Sequence, residues 1–439
     1  MERLFIRTMP AGLCYVLAAV ISGNTFAASD PTLVIDRVSV VDVSRGSLRA
    51  EQVVVIRGPR IERVAPAREA RLPRDARVLD GTGKYLVPGL WDMHVHVAGD
   101  ERALEAMLAS GITGVRDMGG DFAKLAEVRA HIDSGRLNGP RLVCAGPMLR
   151  GPKSSTDASD ADSIVVRTPD EGRRAVEALS ALGVDFVKVH EDLSRDAFRA
   201  IADAARTKGL PFVGHVPATV TPVEASDLGE LTIEHLEFVP DSCLLLFRPE
   251  ARAARTAPPA ACGRSAMASL LRHLARNGTW LDPTISSFRY WAPQQWEAIF
   301  GGFRDLTPAI RRSGVRLLAG TDWSESLQSR GAAPGVGLHD ELALLVEAGF
   351  SPAEALRSAT SNPARLRGLS KMLGTVEAGQ TADLLLLDAD PLRDIHNTRR
   401  VAVVIRDGRI VQGAGVSAAS RSFSAASKRA APWYSASSR

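Results

Sequence analysis

Two histidines one residue apart, His94 and His96, close the stretch Val87-Pro88-Gly89-Leu90-Trp91-Asp92-Met93-His94-Val95-His96. An apolar run of this kind reads as a buried strand, and in a strand residues i and i+2 share a face. Both imidazoles can therefore converge on one point, as two ligands of a single cation must. Further along stand Lys188 at the end of Phe186-Val187-Lys188-Val189, His215 after Val213-Gly214, His235 after Ile233-Glu234, and Asp322 after Ala319-Gly320-Thr321. Each of these polar residues follows a short apolar run. Imidazole and carboxylate donors at strand ends are the materials of a divalent-metal site, with zinc the best match and manganese, iron or cobalt as substitutes. His190 lies two residues beyond Lys188 and faces the same side, where it could polarise a carbonyl or bind a leaving group.

Positioning these residues requires a particular framework. Eight short apolar strands alternate with helical stretches: Leu90 to His94, Gly114 to Asp117, Arg141 to Cys144, Phe186 to Val189, Phe212 to His215, Thr232 to His235, Trp280 to Asp282 and Val315 to Gly320. Such alternation predicts parallel βα units, and eight of them close a (β/α)8 TIM barrel of the α/β class. In that architecture the reactive face lies at the carboxyl ends of the strands, where the polar residues stand. Helices are predicted over Asp170 to Leu182 and Arg195 to Thr207, each followed closely by a glycine suited to ending it.

Flanking the insert are β-rich runs. Leu33 to Ile35, Val38 to Val41 and Val53 to Arg57 precede it, while Ala382 to Leu387, Val401 to Arg406 and Arg409 to Val411 follow, the last two joined by Asp407-Gly408 as a hairpin turn. This predicts one small β-sandwich built from both chain ends, residues 28–88 and 371–415, around a barrel at 89–370. Residues 1–27 read as an export signal, with Arg3 and Arg7 ahead of an apolar run from Met9 to Ile21 and small residues before Ala27. The protein is accordingly expected to be periplasmic or secreted, with no membrane anchor in the mature chain. Residues 416–439, rich in Ser and Ala, read as a disordered tail.

The 439 residues carry a formal charge of +4, but the basic residues are scattered among acidic ones. That argues against nucleic-acid binding; the expected partner is a small-molecule substrate, and a homo-oligomer is left open. Of the four cysteines, Cys14 lies in the signal, Cys243 and Cys262 are predicted to pair in an oxidising compartment, and Cys144 is expected to be a buried thiol. Gly146 to Ser154 superficially resembles a phosphate loop, but Pro152 removes a backbone N–H that such a loop needs. Arg150 and Lys153 in this segment are better candidates for binding an anionic substrate group. Arg289, Tyr290 and Trp291 offer a second cationic and aromatic wall, and His339, in a glycine-rich loop after the eighth strand that could lie over the pocket, is a further candidate contact.

Taken together, the His94/His96 stretch, Lys188, Val213-Gly214-His215-Val216-Pro217, Ile233-Glu234-His235-Leu236, Ala319-Gly320-Thr321-Asp322 and Gly379-Gln380-Thr381-Ala382-Asp383-Leu384 resemble the amidohydrolase superfamily. The likeness is to its imidazolonepropionase-related and Xaa-Pro dipeptidase (prolidase)-like branch, over residues 33 to 411. The resemblance implies two divalent ions, most naturally Zn2+. His94, His96 and Asp322 would hold the more buried one and His215 and His235 the other, with Lys188 bridging as N6-carboxylysine. A carbamate makes chemical sense there, because a free ammonium would repel two cations whereas a carboxylated lysine is an anionic ligand.

The implied reaction is hydrolysis of a C–N amide in a dipeptide or N-acyl amino acid. A metal-bridging hydroxide would attack, and Asp322 would carry the proton to the leaving nitrogen. Lactone, ester or phosphotriester hydrolysis could use the same apparatus; imidazolone ring opening is disfavoured by the bridging lysine. A binding protein that kept the fold without catalysis would be expected to lack ligands.

Overall fold

The computed structural model describes residues 32–152, 162–190, 192–239 and 263–413. The expected export signal, Lys153, the expected Cys243–Cys262 pairing and the tail from 416 lie outside the described residues. In chain order the strands are Leu33–Asp42 (β1), Ser47–Arg57 (β2), Arg60–Pro66 (β3), Arg77–Asp80 (β4), Tyr85–Pro88 (β5), Leu90–His96 (β6), Ile112–Asp117 (β7), Arg141–Cys144 (β8), Met148–Arg150 (β9) and Ser163–Val165 (β10). They continue with Val187–Val189 (β11), Phe212–Gly214 (β12), Glu230–Glu234 (β13), Trp280–Asp282 (β14), Arg316–Leu317 (β15), Trp323–Ser324 (β16), Leu384–Leu387 (β17), Val401–Arg406 (β18) and Arg409–Gln412 (β19). All eight strands expected in the insert are present.

Among the described residues these strands form three sheets. Both chain ends build one eight-stranded sheet in the order β19-β18-β17-β5-β1-β2-β3, with β4 beside β1. Its seam is the antiparallel pairing of β17 with β5, which sets Leu385 opposite Val87 and Leu386 opposite Leu86. The alternating pattern of β1 sends Leu33, Ile35, Val38 and Val40 into a shared core with Ile56, Leu384 and Ile405. Strand pairing thus joins the two ends in a single sheet.

The insert contains parallel strands. One sheet runs β10-β9-β11-β12-β13-β14-β15 and another β16-β6-β7-β8. Backbone bonds tie them at both seams: Asp185 N–H donates to the Cys144 carbonyl at 2.9 Å, and Met93 N–H to the Ala319 carbonyl at 2.9 Å. The two anticipated helices span Pro169–Leu182 and Arg195–Lys208, capped by Thr168 and Ser194 and ended by Gly183 and Gly209. Their alanine and leucine faces, including Val176, Leu179, Phe198 and Ile201, close over Val187 and Val189. Cys144 is a buried free thiol, as expected, and burial pushes its ionisation upward.

Two glycines let site-bearing strands approach one another. A Cβ on Gly214 would lie 2.2 Å from the Val189 carbonyl oxygen, and one on Gly320 would lie 2.6 Å from the His94 Cβ and 2.7 Å from Asp282 Oδ1. Any larger residue there would push His215 or Asp322 off its neighbours.

Candidate metal centre

His94 and His96 end β6, and Asp322 follows β15 by way of Gly320 and Thr321. The backbone brings them together: Asp322 N–H donates to the His94 carbonyl at 2.8 Å. Buried Asp92 holds the adjoining turn, accepting Thr321 N–H at 3.0 Å and Thr321 Oγ at 2.7 Å. Burial pushes the Asp92 carboxyl up to about 7. Asp322 Oδ1 consequently lies 3.4 Å from His94 Nε2 and 3.6 Å from His96 Nε2. One donor atom from each of these residues falls within a 4.8 Å cluster, a spacing that suits coordination of one ion.

The other donors gather beside this triad. His235 Nε2 faces His215 Nε2 at 3.1 Å, and the His235 ring centroid is 4.8 Å from that of His94. His215 Nδ1 lies 3.2 Å from Glu237 Oε1, and His235 Nδ1 lies 2.7 Å from Thr284 Oγ1. The two Nε2 atoms face each other, an arrangement suited to sharing a cation. Lys188 is completely buried on β11, and its Nζ finds no hydrogen-bond partner. Burial depresses its basicity. His190, next along the chain on the same side, sits with its ring centroid 4.1 Å from that of His215. Burial, then the Lys188 charge, depress its basicity to about 2.

Burial holds His94 and His215 well below their usual basicity, so both are neutral imidazoles with a free lone pair at neutral pH. His94 is further oriented from below: its Nδ1 lies 2.9 Å from Glu234 Oε2, while its Nε2 is buried without a hydrogen-bond partner. Glu234 in turn is gripped by Arg116, whose Nη2 donates to both carboxylate oxygens at 3.0 Å and to Asp282 Oδ2 at 3.3 Å. A second cluster of potential ligands, His94, Glu234 and Asp282, is therefore already served by the Arg116 guanidinium. Burial, then the neighbouring Glu234 charge, push the Asp282 carboxyl well above the usual carboxylate range. Arg116→Met should cost about 3 kcal/mol of stability by stranding Glu234 in the interior. The shift of the urea midpoint at unchanged m-value measures that loss.

The remaining candidates divide. Arg150 donates to Ser163 Oγ at 2.8 Å and acts on His190 electrostatically, which keeps it near the cluster. Arg289 and Tyr290 belong to the short helix Phe288–Trp291; Arg289 stacks on Trp296 at 4.7 Å, and the Tyr290 carbonyl accepts from Arg330 at 3.3 Å. His339 is a different case. Its segment is the helix Val336–Glu347 and not a loop, and its ring nitrogens lie 2.9 Å from the Ser110 carbonyl and 3.0 Å from Thr398 Oγ1. With the ring buried and both nitrogens engaged, it serves the packing of that helix and is withdrawn as a substrate contact. Sequence reasoning missed the roles of Arg116, Glu234, Thr284 and Glu341. Glu234 alone had a visible signal, since it alternates with Thr232 on a strand that ends in a ligand.

The family model described as "Amidohydrolase family" matches residues 85–411. The chain belongs to the amidohydrolase family. Among curated amidohydrolase relatives, the ochratoxinase of Aspergillus niger is 24% identical over 395 residues, covering 75% of this chain and 76% of its own length. Among solved structures, a Xaa-Pro dipeptidase with bound methionine superposes with a TM-score of 0.70 at 22% identity, covering 87% of this chain and 100% of that one. A putative prolidase from Bifidobacterium longum gives 0.69 at 26% identity, with 91% and 99% covered. As an amidohydrolase the protein is a hydrolytic enzyme, and the prolidase-like likeness seen in its motifs extends to its fold.

Proposed function

We propose that this amidohydrolase is a binuclear, zinc-dependent enzyme cleaving the C–N amide bond of a small molecule such as a dipeptide or N-acyl amino acid. The observation carrying the reading is the convergence of His94, His96 and Asp322 beside the facing Nε2 atoms of His215 and His235. The parallel strands are taken to close as a (β/α)8 barrel, with the terminal sheet curling into a sandwich. The apolar run from Met9 to Ile21 supports export to the periplasm or beyond.

Neutral imidazoles, one carboxylate and a buried amine without a partner fit a pair of divalent ions. His94, His96 and Asp322 would hold one, and His215 and His235 the other. Lys188 would join them as a carbamate: its depressed basicity supplies the neutral amine, which forms an N–C bond to CO₂ and releases one proton. Such ions, when bound, polarise a carbonyl and lower the pKa of water towards about 7. Asp322 Oδ1 faces the histidines while Oδ2 accepts the Trp291 indole N–H at 2.9 Å, and this carboxylate would take a proton from the attacking water and deliver it to the leaving nitrogen. His190, its ring tilted against that of His215, is suited to donate a hydrogen bond to the substrate carbonyl or leaving group.

The likeness to a protein described as a putative prolidase supports an amide substrate. The test is a side-by-side panel of dipeptides, N-acyl amino acids, lactones and phosphotriesters, run before and after chelation. Amides should turn over fastest, chelation should abolish the rate, and added zinc should restore it. Faster lactone or phosphotriester turnover would move the assignment to esterase chemistry. Full activity after exhaustive chelation would end the metal reading.

A further inference from the structure

Strand β14 ends in Asp282, which is occupied by Arg116, and the loop after it supplies none of the proposed ligands. Yet this loop, Thr284 to Trp291, touches the proposed ligands of both neighbouring strands. At one end Thr284 Oγ1 lies 2.7 Å from His235 Nδ1; at the other, Trp291 Nε1 donates to Asp322 Oδ2 at 2.9 Å. We infer that the Thr284–Trp291 loop is a clamp that positions His235 and Asp322, with Thr284 and Trp291 as its jaws and Glu341 as its anchor. The inference builds on the metal-site reading above.

The anchor is a buried carboxylate on the helix Val336–Glu347. Glu341 accepts Ile285 N–H at 3.0 Å and Ser286 N–H at 2.7 Å, one on each oxygen. Ser287 Oγ closes the turn on the Thr284 carbonyl at 2.9 Å. Thr284, Ser286 and Ser287 are all buried, so the first half of the loop is fixed by the interior. Trp291 is 43% exposed and carries Arg330 over its ring at 4.9 Å, which fixes the indole from the solvent side.

What the clamp holds is strained. Thr284, His235 and Asp322 have φ of 43°, 53° and 55°, in the left-handed region that residues with a Cβ rarely enter. Such conformations persist only where the surroundings over-determine them, and here the three residues are joined to one loop by its two terminal hydrogen bonds. The chemistry follows atom by atom. For His235 to present its Nε2 lone pair, Nδ1 must carry the proton, and Thr284 Oγ1 is the acceptor that fixes that tautomer. For Asp322 to present Oδ1 towards His94 and His96, its carboxylate must not rotate, and the indole N–H holds Oδ2.

Thr284→Val keeps the shape and β-branching while removing the hydroxyl; Thr284→Ser restores it; Trp291→Phe keeps the ring and removes the N–H. Zinc affinity is read by competition with a chromophoric chelator, alongside kcat and KM on the best amide and the circular dichroism of the metal-free proteins. Thr284→Val should weaken the looser zinc by about tenfold or more with the fold intact, and Thr284→Ser should recover most of it. Trp291→Phe should lower kcat by about tenfold with KM unchanged. Wild-type zinc affinity in Thr284→Val together with wild-type kcat in Trp291→Phe would overturn the clamp while leaving the metal reading intact. So would a Thr284→Ser variant as weak as Thr284→Val. Wild-type enzyme that holds no zinc would overturn both.

Discussion

Asp322→Asn should lower kcat by about ten-thousand-fold while the protein still binds divalent metal. The substitution preserves shape and an oxygen towards His94 and His96, which lie 3.4 and 3.6 Å from Asp322 Oδ1, but an amide cannot accept and pass on a proton. The loss therefore falls on the chemical step. KM should move little, because Asp322 is placed against the histidines and the Trp291 indole. Turnover measured beside metal content checks this; near-full activity with metal in place would remove Asp322 as the proton carrier.

Lys188→Met should be nearly as damaging to activity, about a thousand-fold in kcat/KM, and should have the opposite effect on the metal-free fold. Lys188 is fully buried with a partnerless amine, so exchanging it for an apolar chain of similar length removes an unsatisfied polar atom. That change should stabilise the metal-free protein by about 1 kcal/mol or more. The metal-loaded protein should lose instead, since no anionic bridge remains. A melting temperature that rises without metal and no longer responds to it is the expected pair of results. A variant that keeps two ions and full turnover would show that Lys188 is not a bridging ligand.

How much of this was legible in the sequence depends on whether a signal was local. His94-x-His96 could be read because period two is a property of a single strand, and the apolar runs ahead of Lys188, His215 and His235 located their strands. The Arg116–Glu234 pair was not readable, because it joins residues 118 positions apart that become neighbours only once β7 and β13 share an interior. His339 was misread for a physical reason. Gly335, at φ 82°, caps a helix, and the apolar residues that follow carry His339 into the packing between Ser110 and Thr398. Trp291 was visible as part of an aromatic wall, but its bond to Asp322 depends on a loop path fixed by Glu341 from another helix. The terminal module shows the same limit: alternation revealed that both ends are β, whereas the β5–β17 seam that makes them one sheet is a long-range pairing.

Anomalous diffraction from a crystal of the zinc-loaded enzyme tests the account most directly. Two zinc peaks are predicted, one among His94, His96 and Asp322 and one between His215 and His235, with extra density for a carboxylate on Lys188 Nζ reaching both. No peak, or peaks elsewhere with Lys188 a bare amine turned from the histidines, would contradict it.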